Sequence, residues 1–207
     1  MNNYICLNGQ KIELTKEQAE QLRSQYGPQE VKLADVAVGN TVQIGKFEMV
    51  VLEQFGAGTA LILKGFYGED TAFGKDNNDY RQSLVDQRCG EFAKELSEIV
   101  GENNVITHTV DLTSDDGLKD YGSISRRASL LTADYYRKFA EVLDTVNPEK
   151  WWWLATAHST KRHENDVWAK CVSPSGNMRN DYYDGGVNGV RPFCILKSNI
   201  FVSRKGE

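Results

Sequence analysis

Apolar and polar positions along the chain fall into blocks whose spacing predicts most of its elements. Tyr4-Ile5-Cys6-Leu7 and Lys11-Ile12-Glu13-Leu14 flank Asn8-Gly9, a strong signal for a hairpin turn. Thr15-Lys16-Glu17-Gln18 fits a capping box, in which the Thr hydroxyl and the Gln side chain meet the first free amides. The helix it opens is predicted to reach about Tyr26 and to stop at Gly27-Pro28. From Val31 the pattern turns β: Thr41–Ile44, Phe47–Leu52 and Thr59–Leu63 predict a meander with turns at Gly45-Lys46 and Gly56-Ala57-Gly58. Leu84, Cys89, Phe92, Leu96 and Ile99 or Val100 recur at helical spacing, so 79–100 is predicted helical, with Gly101 as its stop. A short strand is expected within 104–113 and a polar loop at 115–125. A second helix should run from Thr132 through Tyr136, Phe139, Leu143 and Val146 to just before Pro148. Strands and helices are segregated rather than alternating, which predicts an α+β fold. Gly27-Pro28-Gln29 is the early boundary, separating a hairpin–helix segment at 1–28 from a main domain at 29–207.

The last quarter carries the strongest contrast. Trp151-Trp152-Trp153-Leu154-Ala155-Thr156 and Gly189-Val190-Arg191-Pro192-Phe193-Cys194-Ile195-Leu196 are apolar blocks, whereas 157–188 between them is mostly Asn, Asp, Ser, His, Tyr, Lys, Arg and Gly. Three consecutive tryptophans are costly to leave in water, since each buries on the order of 150–250 Å². The blocks therefore predict core strands, with Trp152, Trp153 and Arg191 as a structural frame for the polar interval. Two readings of that interval stand side by side. One is a pair of solvated hairpins turning at Ser173-Pro174-Ser175-Gly176 and Asp184-Gly185-Gly186. The other is a binding surface, because Tyr, Ser, Gly and Asn with occasional Trp and Arg is the mixture favoured in antibody-like loops. Its candidate contact residues are His158, Lys161, Arg162, His163, Asn165, Trp168, Lys170, Asn177, Arg179, Asn180, Tyr182 and Tyr183.

Composition narrows the classes. At 40% hydrophobic and 26% charged residues, the chain has the material for a folded core. A net charge of −5 and a pI near 5.3 argue against general affinity for nucleic-acid backbone. No run approaches the roughly 18 apolar residues of a membrane span, so no membrane insertion is expected. Met1–Cys6 lacks a basic, then apolar, leader pattern. The four cysteines, Cys6, Cys89, Cys171 and Cys194, contain no CxxC pair, which suits free thiols in a reducing cytoplasm, the expected place of synthesis.

Chemical motifs are weak. His158 and His163 lie near Glu164 and Asp166, but the spacing matches no zinc pattern, and no metal or cofactor is expected. Asp111, Asp115, Asp116 and Asp120 cluster without an EF-hand pattern, which predicts a capped, solvated loop. There is no Gly-x-Ser-x-Gly elbow and no phosphate-binding glycine loop, so no catalytic residue is assigned. Arg191, set among core residues, is expected to anchor on a carboxylate, with Asp111 as one possibility, or on backbone carbonyls.

Several separated motifs carry a resemblance. Trp152-Trp153-Leu154, the stretch from Val167 to the Ser173-x-x-Gly176 turn, and Gly189-Val190-Arg191-Pro192 resemble, in order, a domain family of unknown function found in phages and gut-associated bacteria. Asp116-Gly117-Leu118-Lys119-Asp120-Tyr121-Gly122 and Ser129-Leu130-Leu131-Thr132 look like further stretches of it, so the resemblance covers most of 31–203. It implies the C-type-lectin-like fold of formylglycine-generating enzymes and of the variable proteins of diversity-generating retroelements, with short antiparallel strands and two packed helices. In the retroelement proteins a scaffold presents a C-terminal segment rewritten at adenine positions, which yields the residue types that dominate 157–188. The chain departs from the family in lacking a recognisable formylglycine-generating cysteine pair, and it lacks the Glu-Pro-Asn and Trp-Asn-Asp motifs of calcium-dependent lectins.

The resemblance therefore implies a non-enzymatic phage- or prophage-type protein, carried on a virion or cell surface, that binds a protein or glycan through 157–188. A phage effector that occludes a host defence protein or enzyme is the alternative. A formylglycine-generating-like enzyme dependent on Cys171 and Cys194 is the third reading.

Overall fold

The computed structural model describes residues 4–7, 10–26, 30–185 and 188–204. Strands β1 (Tyr4–Leu7) and β2 (Gln10–Glu13) pair antiparallel, and helix α1 (Lys16–Tyr26) follows. The capping box is formed: Thr15 Oγ1 accepts from the Gln18 amide at 3.1 Å, and Gln18 Oε1 accepts from the Thr15 amide at 3.0 Å. The expected turn at Asn8-Gly9 and the boundary at 27–29 lie outside the described residues.

From Glu30 onward the fold is α+β. It starts with β3 (Glu30–Lys32) and the meander β4 (Thr41–Ile44), β5 (Phe47–Phe55) and β6 (Gly58–Leu63). Helix α2 (Leu84–Val100) is followed by β7 (Val105–Ile106), β8 (His108–Asp111), β9 (Ser123–Arg126) and β10 (Ala128–Ser129). Next come helices α3 (Ala133–Lys138) and α4 (Ala140–Thr145), then β11 (Trp152–Ala157), β12 (Trp168–Val172), β13 (Met178–Tyr182), β14 (Phe193–Lys197) and β15 (Phe201–Arg204).

The large sheet runs β10-β14-β6-β5-β4-β15-β3, with β7 also pairing β14, so the chain's last strands close onto its early meander. A second sheet, β11-β12-β13, carries the polar interval, and β8-β9 form a ribbon. All these ladders are antiparallel.

Both faces of the large sheet are covered, which explains the near-continuous apolar runs of β5 and β6. Met49, Val51, Leu61 and Leu63 face Phe92 and Leu96 of α2, while Val50, Leu52 and Ile62 face Tyr136, Phe139 and Leu143 of α3 and α4. The β11 strand lies between two cores: Trp152 and Leu154 join the second of these clusters, and Trp153 and Ala155 pack with Phe73, Tyr80, Cys171 and Val190.

Four expectations change. Helix 79–100 starts only at Leu84, because Ser83 caps it by accepting from the Asp86 amide at 3.0 Å, and a single tight turn covers Tyr80–Gln82. The helix from Thr132 is two short helices broken at Phe139, whose backbone leaves helical geometry (φ −104°, ψ 14°). Trp151 is not a core residue but remains 42% exposed, while Trp152 and Trp153 are fully buried. Within 115–125 the loop also gains a strand end, since β9 pairs with β8.

Candidate binding surface

The frame is built as tightly as its composition demands. Trp152 Nε1 donates to Asn147 Oδ1 at 3.1 Å, and Trp153 Nε1 donates to the Thr71 carbonyl at 2.8 Å, so neither indole leaves a buried donor unmet. Gly189 sits in a parallel bridge with Trp152, and a Cβ there would lie 2.2 Å from Phe66 Cδ1; only glycine fits without moving that ring. Arg191 is fully buried and anchors on backbone, its Nε donating to the Leu63 carbonyl at 2.8 Å and its Nη2 to the Val146 carbonyl at 3.0 Å. Asp111 is not its partner; that carboxylate accepts from the Thr113 amide and hydroxyl at 2.9 and 2.7 Å. The Arg191 guanidinium lies 5.2 Å from the Trp152 ring centroid, and burial pushes its pKa down to about 10.

On this frame, β12 and β13 place Trp168, Lys170 and Val172 directly opposite Tyr182, Asn180 and Met178. Opposed residues share a face of the sheet. The Trp168 and Tyr182 rings stack with centroids 3.8 Å apart, and Tyr182 stays 47% exposed. Asn180 is exposed beside them. Lys170 is drawn inward, its side chain only 10% exposed, and donates to Asp115 Oδ2 at 3.0 Å. Arg137 of α3 donates to the other Asp115 oxygen at 3.0 Å. A cleft of about 350 Å³, lined in part by Asp111, Asp115, Thr156, Asp134, Tyr135 and Arg137, opens beside this cluster.

The segment between β11 and β12 is clamped from outside. Asn78, fully buried, donates through Nδ2 to the Ser159 and Trp168 carbonyls at 3.0 and 2.7 Å and accepts from the Tyr121 hydroxyl at 2.8 Å. Asp116 accepts from Ser114 and Ser159 hydroxyls at 2.5 and 2.6 Å and pairs with His163 Nδ1 at 3.0 Å. Partial burial works against ionising Asp116, but the hydrogen bonds from Ser114, Ser159 and His163 outweigh it and hold the carboxyl well below the usual range. Asp120 accepts from Thr160 Oγ1 at 2.6 Å and pairs with Arg162. Burial likewise opposes ionising Asp115, and Lys170 with Arg137 overcomes it, so this pKa also falls.

The acidic cluster is therefore not the solvated loop its composition predicts. Three of its four carboxylates fasten the polar interval, each to a different residue of 157–188 or its neighbours. The second turn expected in the interval, Asp184-Gly185-Gly186, runs into residues outside those described, and the first is not a free hairpin. The β12–β13 hairpin does turn at Ser173–Gly176, with the Gly176 amide on the Ser173 carbonyl at 2.9 Å, but that turn is held by Tyr136, whose hydroxyl donates to the Gly176 carbonyl at 2.5 Å.

Of the twelve sequence-selected residues, Trp168, Tyr182 and Asn180 share the open face. Arg179 is exposed on the opposite face. Lys161, Arg162 and His163 form one exposed turn, with Asn165 half-buried just after it. Asn177 is exposed at the far hairpin end, its Nδ2 on Ser175 Oγ at 2.9 Å. His158 is half-buried, with its amide on the Trp168 carbonyl at 2.9 Å. Lys170 and Tyr183 belong to the frame rather than the surface: Tyr183 packs against the Trp153 cluster, and its backbone bonds Val167 and Gly74, both at 3.0 Å.

Sequence reading missed Asn78, Tyr121 and Arg137, which nothing in local spacing connects to 157–188; only the Asp cluster hinted at them. Cys171 and Cys194 are fully buried, and burial pushes both thiols up to about 12. Among the described residues no three His, Cys, Asp or Glu side chains converge as a metal site, and no helix is long and apolar enough to cross a membrane. Compared with protein-family models, curated proteins and solved structures, the chain matches none.

Proposed function

We propose that this chain is a non-enzymatic binding protein of C-type-lectin-like architecture, which presents the open face of β12–β13 and the clamped 158–167 segment to a protein or glycan ligand. The observation that carries this reading is the Trp168–Tyr182 stack, a half-exposed aromatic platform mounted on a sheet whose other strand is entirely buried. Aromatic residues of this kind give rigid contact area at low conformational-entropy cost and commonly dominate binding energy. The carboxylate clamps support the same reading, because they pre-order the loop before any ligand arrives. Closure of the last strands onto the first sheet and the motif resemblance support the C-type-lectin-like assignment and, through it, a phage or prophage origin with retroelement diversification of 157–188. The thiols that an enzymatic reading needs are buried and held protonated.

The test uses the full chain on glycan arrays and on host surface-protein arrays. Tyr182→Ala should abolish capture of the ligand found there while lowering Tm by only about 2–4 °C, the effect of losing a stack worth ~1 kcal/mol. Tyr183→Ala should instead lower Tm markedly, since that ring supports the core. Undiminished capture by Tyr182→Ala sinks the platform.

A further inference from the structure

The β13 strand has one partner, β12, and its outer edge meets no other strand among the described residues. The hydrogen-bond phase of that edge can be read from the ends of the ladder. The Tyr183 amide donates to the Val167 carbonyl and the Ser173 amide to the Asn177 carbonyl, both at 3.0 Å. In an antiparallel pair, bonded and non-bonded pairs alternate. Opposed pairs Trp168–Tyr182, Lys170–Asn180 and Val172–Met178 are therefore the non-bonded ones, and the N–H and C=O of Met178, Asn180 and Tyr182 point outward. Such an edge is a template for another strand unless it is guarded.

The sequence of the strand, Met178-Arg179-Asn180-Asp181-Tyr182, is complementary to itself when reversed. From this we infer that β13 pairs antiparallel with β13 of a second copy about a two-fold axis at Asn180, joining two three-stranded sheets into one. Asn180 meets the partner's Asn180 and Met178 meets the partner's Tyr182 through backbone bonds. Arg179 then stands opposite the partner's Asp181, and Asp181 opposite the partner's Arg179. These fall in non-bonded positions, where opposed Cβ atoms are closest, at roughly 4.5–5.5 Å. On the other face the Met178 thioether reaches the partner's Tyr182 ring, extending the Trp168–Tyr182 stack across the junction.

In the single chain the same two charges guard the edge. Arg179 Nη1 reaches the Met178 carbonyl at 3.4 Å, and Asp181 Oδ1 accepts from the Tyr182 amide at 2.9 Å. Asn188 Nδ2 holds the other Asp181 oxygen at 3.0 Å, keeping the carboxylate in place. Pairing exchanges these local contacts for ion pairs between copies, so association is weak, dependent on concentration and reduced by salt. A five-residue edge buries little area, and the fit of charge rather than of apolar surface selects a second copy over an arbitrary extended peptide.

Sedimentation velocity of the full chain over a concentration series tests this. The expected result is a monomer–dimer equilibrium between 23.3 kDa and twice that mass. Arg179→Asp and Asp181→Arg, each shown to be folded by circular dichroism, should each weaken association by about tenfold or more, since each places like charges opposite one another. An equimolar mixture of the two variants should re-form a mixed dimer, because both junction pairs are then complementary again; no purely structural role of Arg179 or Asp181 gives that rescue. A wild-type chain that is monomeric at every concentration overturns the inference. So does a dimer unaffected by both variants, or a mixture that stays dissociated.

Discussion

Lys170, buried on β12, and Asp115, in the loop after β8, are held 3.0 Å apart, and Arg137 of α3 closes on the same carboxylate. The contact ties three segments that are distant in sequence, and it sets a buried cation two residues along β12 from Trp168. Removing the carboxylate leaves the Lys170 ammonium buried without a counter-charge, which is more costly than the pair is stabilising.

Asp115→Ala should therefore lower stability by about 2 kcal/mol, below the 3–5 typical of a fully buried pair because Asp115 is itself 22% exposed. Urea denaturation reads this directly. The double variant Asp115→Ala with Lys170→Met should recover most of the loss, and failure to recover would mean that Arg137 and the loop backbone, not the uncompensated ammonium, set the cost.

Acid should weaken the fold in two separate windows. His108 is buried, its Nε2 2.9 Å from Ser129 Oγ and its ring edge-on to Phe193, and burial pushes its pKa from 6.5 down to about 4. The unfolded chain takes up this proton near 6.5 and the folded chain only near 4, so stability is full above 6.5 and falls as pH drops through that window. The loss amounts to on the order of 3 kcal/mol. Denaturation midpoints measured at steps from pH 7 to pH 4 should decline in wild type and stay nearly flat in His108→Gln. Below about pH 4 both proteins should lose stability together. There the depressed carboxyls of Asp111, Asp115 and Asp116, ionised in the fold, begin to take up protons in the unfolded chain.

The contrast between His108 and the carboxylates also marks what the sequence could disclose. Patterns that depend on neighbours in the chain were legible: the Thr15–Gln18 capping box, the β4–β6 meander, the apolar face of α2 and the paired frame blocks all follow from local spacing. Trp152 and Trp153 could be placed in the core because a strand buried on both faces needs no alternation. Trp151 could not be told from them, since it lies one residue before the strand begins. The break at Phe139 was hidden because apolar periodicity continues straight through it. The clamps were illegible for a different reason: Asn78 to Trp168 and Asp116 to His163 join residues 90 and 47 apart in sequence, and no spacing rule links an amide or a carboxylate to a partner that far away. The residues chosen for the surface came from composition, which identifies the polar interval but cannot separate Tyr182, on the open face, from Tyr183, turned to the core.

Arg191 offers the sharpest separation between packing and charge. Its guanidinium donates to two backbone carbonyls, Leu63 and Val146, lies over Trp152, and leaves Nη1 buried with no partner. A buried cation without a carboxylate is a poor source of stability, yet its stem and its two hydrogen bonds join the large sheet to the end of α4. Arg191→Ala should cost about 3–5 kcal/mol, the sum of a cavity beside Trp152 and two carbonyls left unmet. Arg191→Met fills the volume and removes the charge while losing the same two hydrogen bonds, so it should cost at least about 1 kcal/mol less than alanine. Arg191→Lys keeps a charge but replaces the planar fork with one ammonium that cannot serve both carbonyls, and should fall nearer to alanine than to methionine. Urea denaturation of the three variants, with unchanged slopes to confirm the same folded state, decides the matter. If methionine proves as damaging as alanine, the two carbonyl contacts alone hold this junction, and the volume of the side chain contributes little.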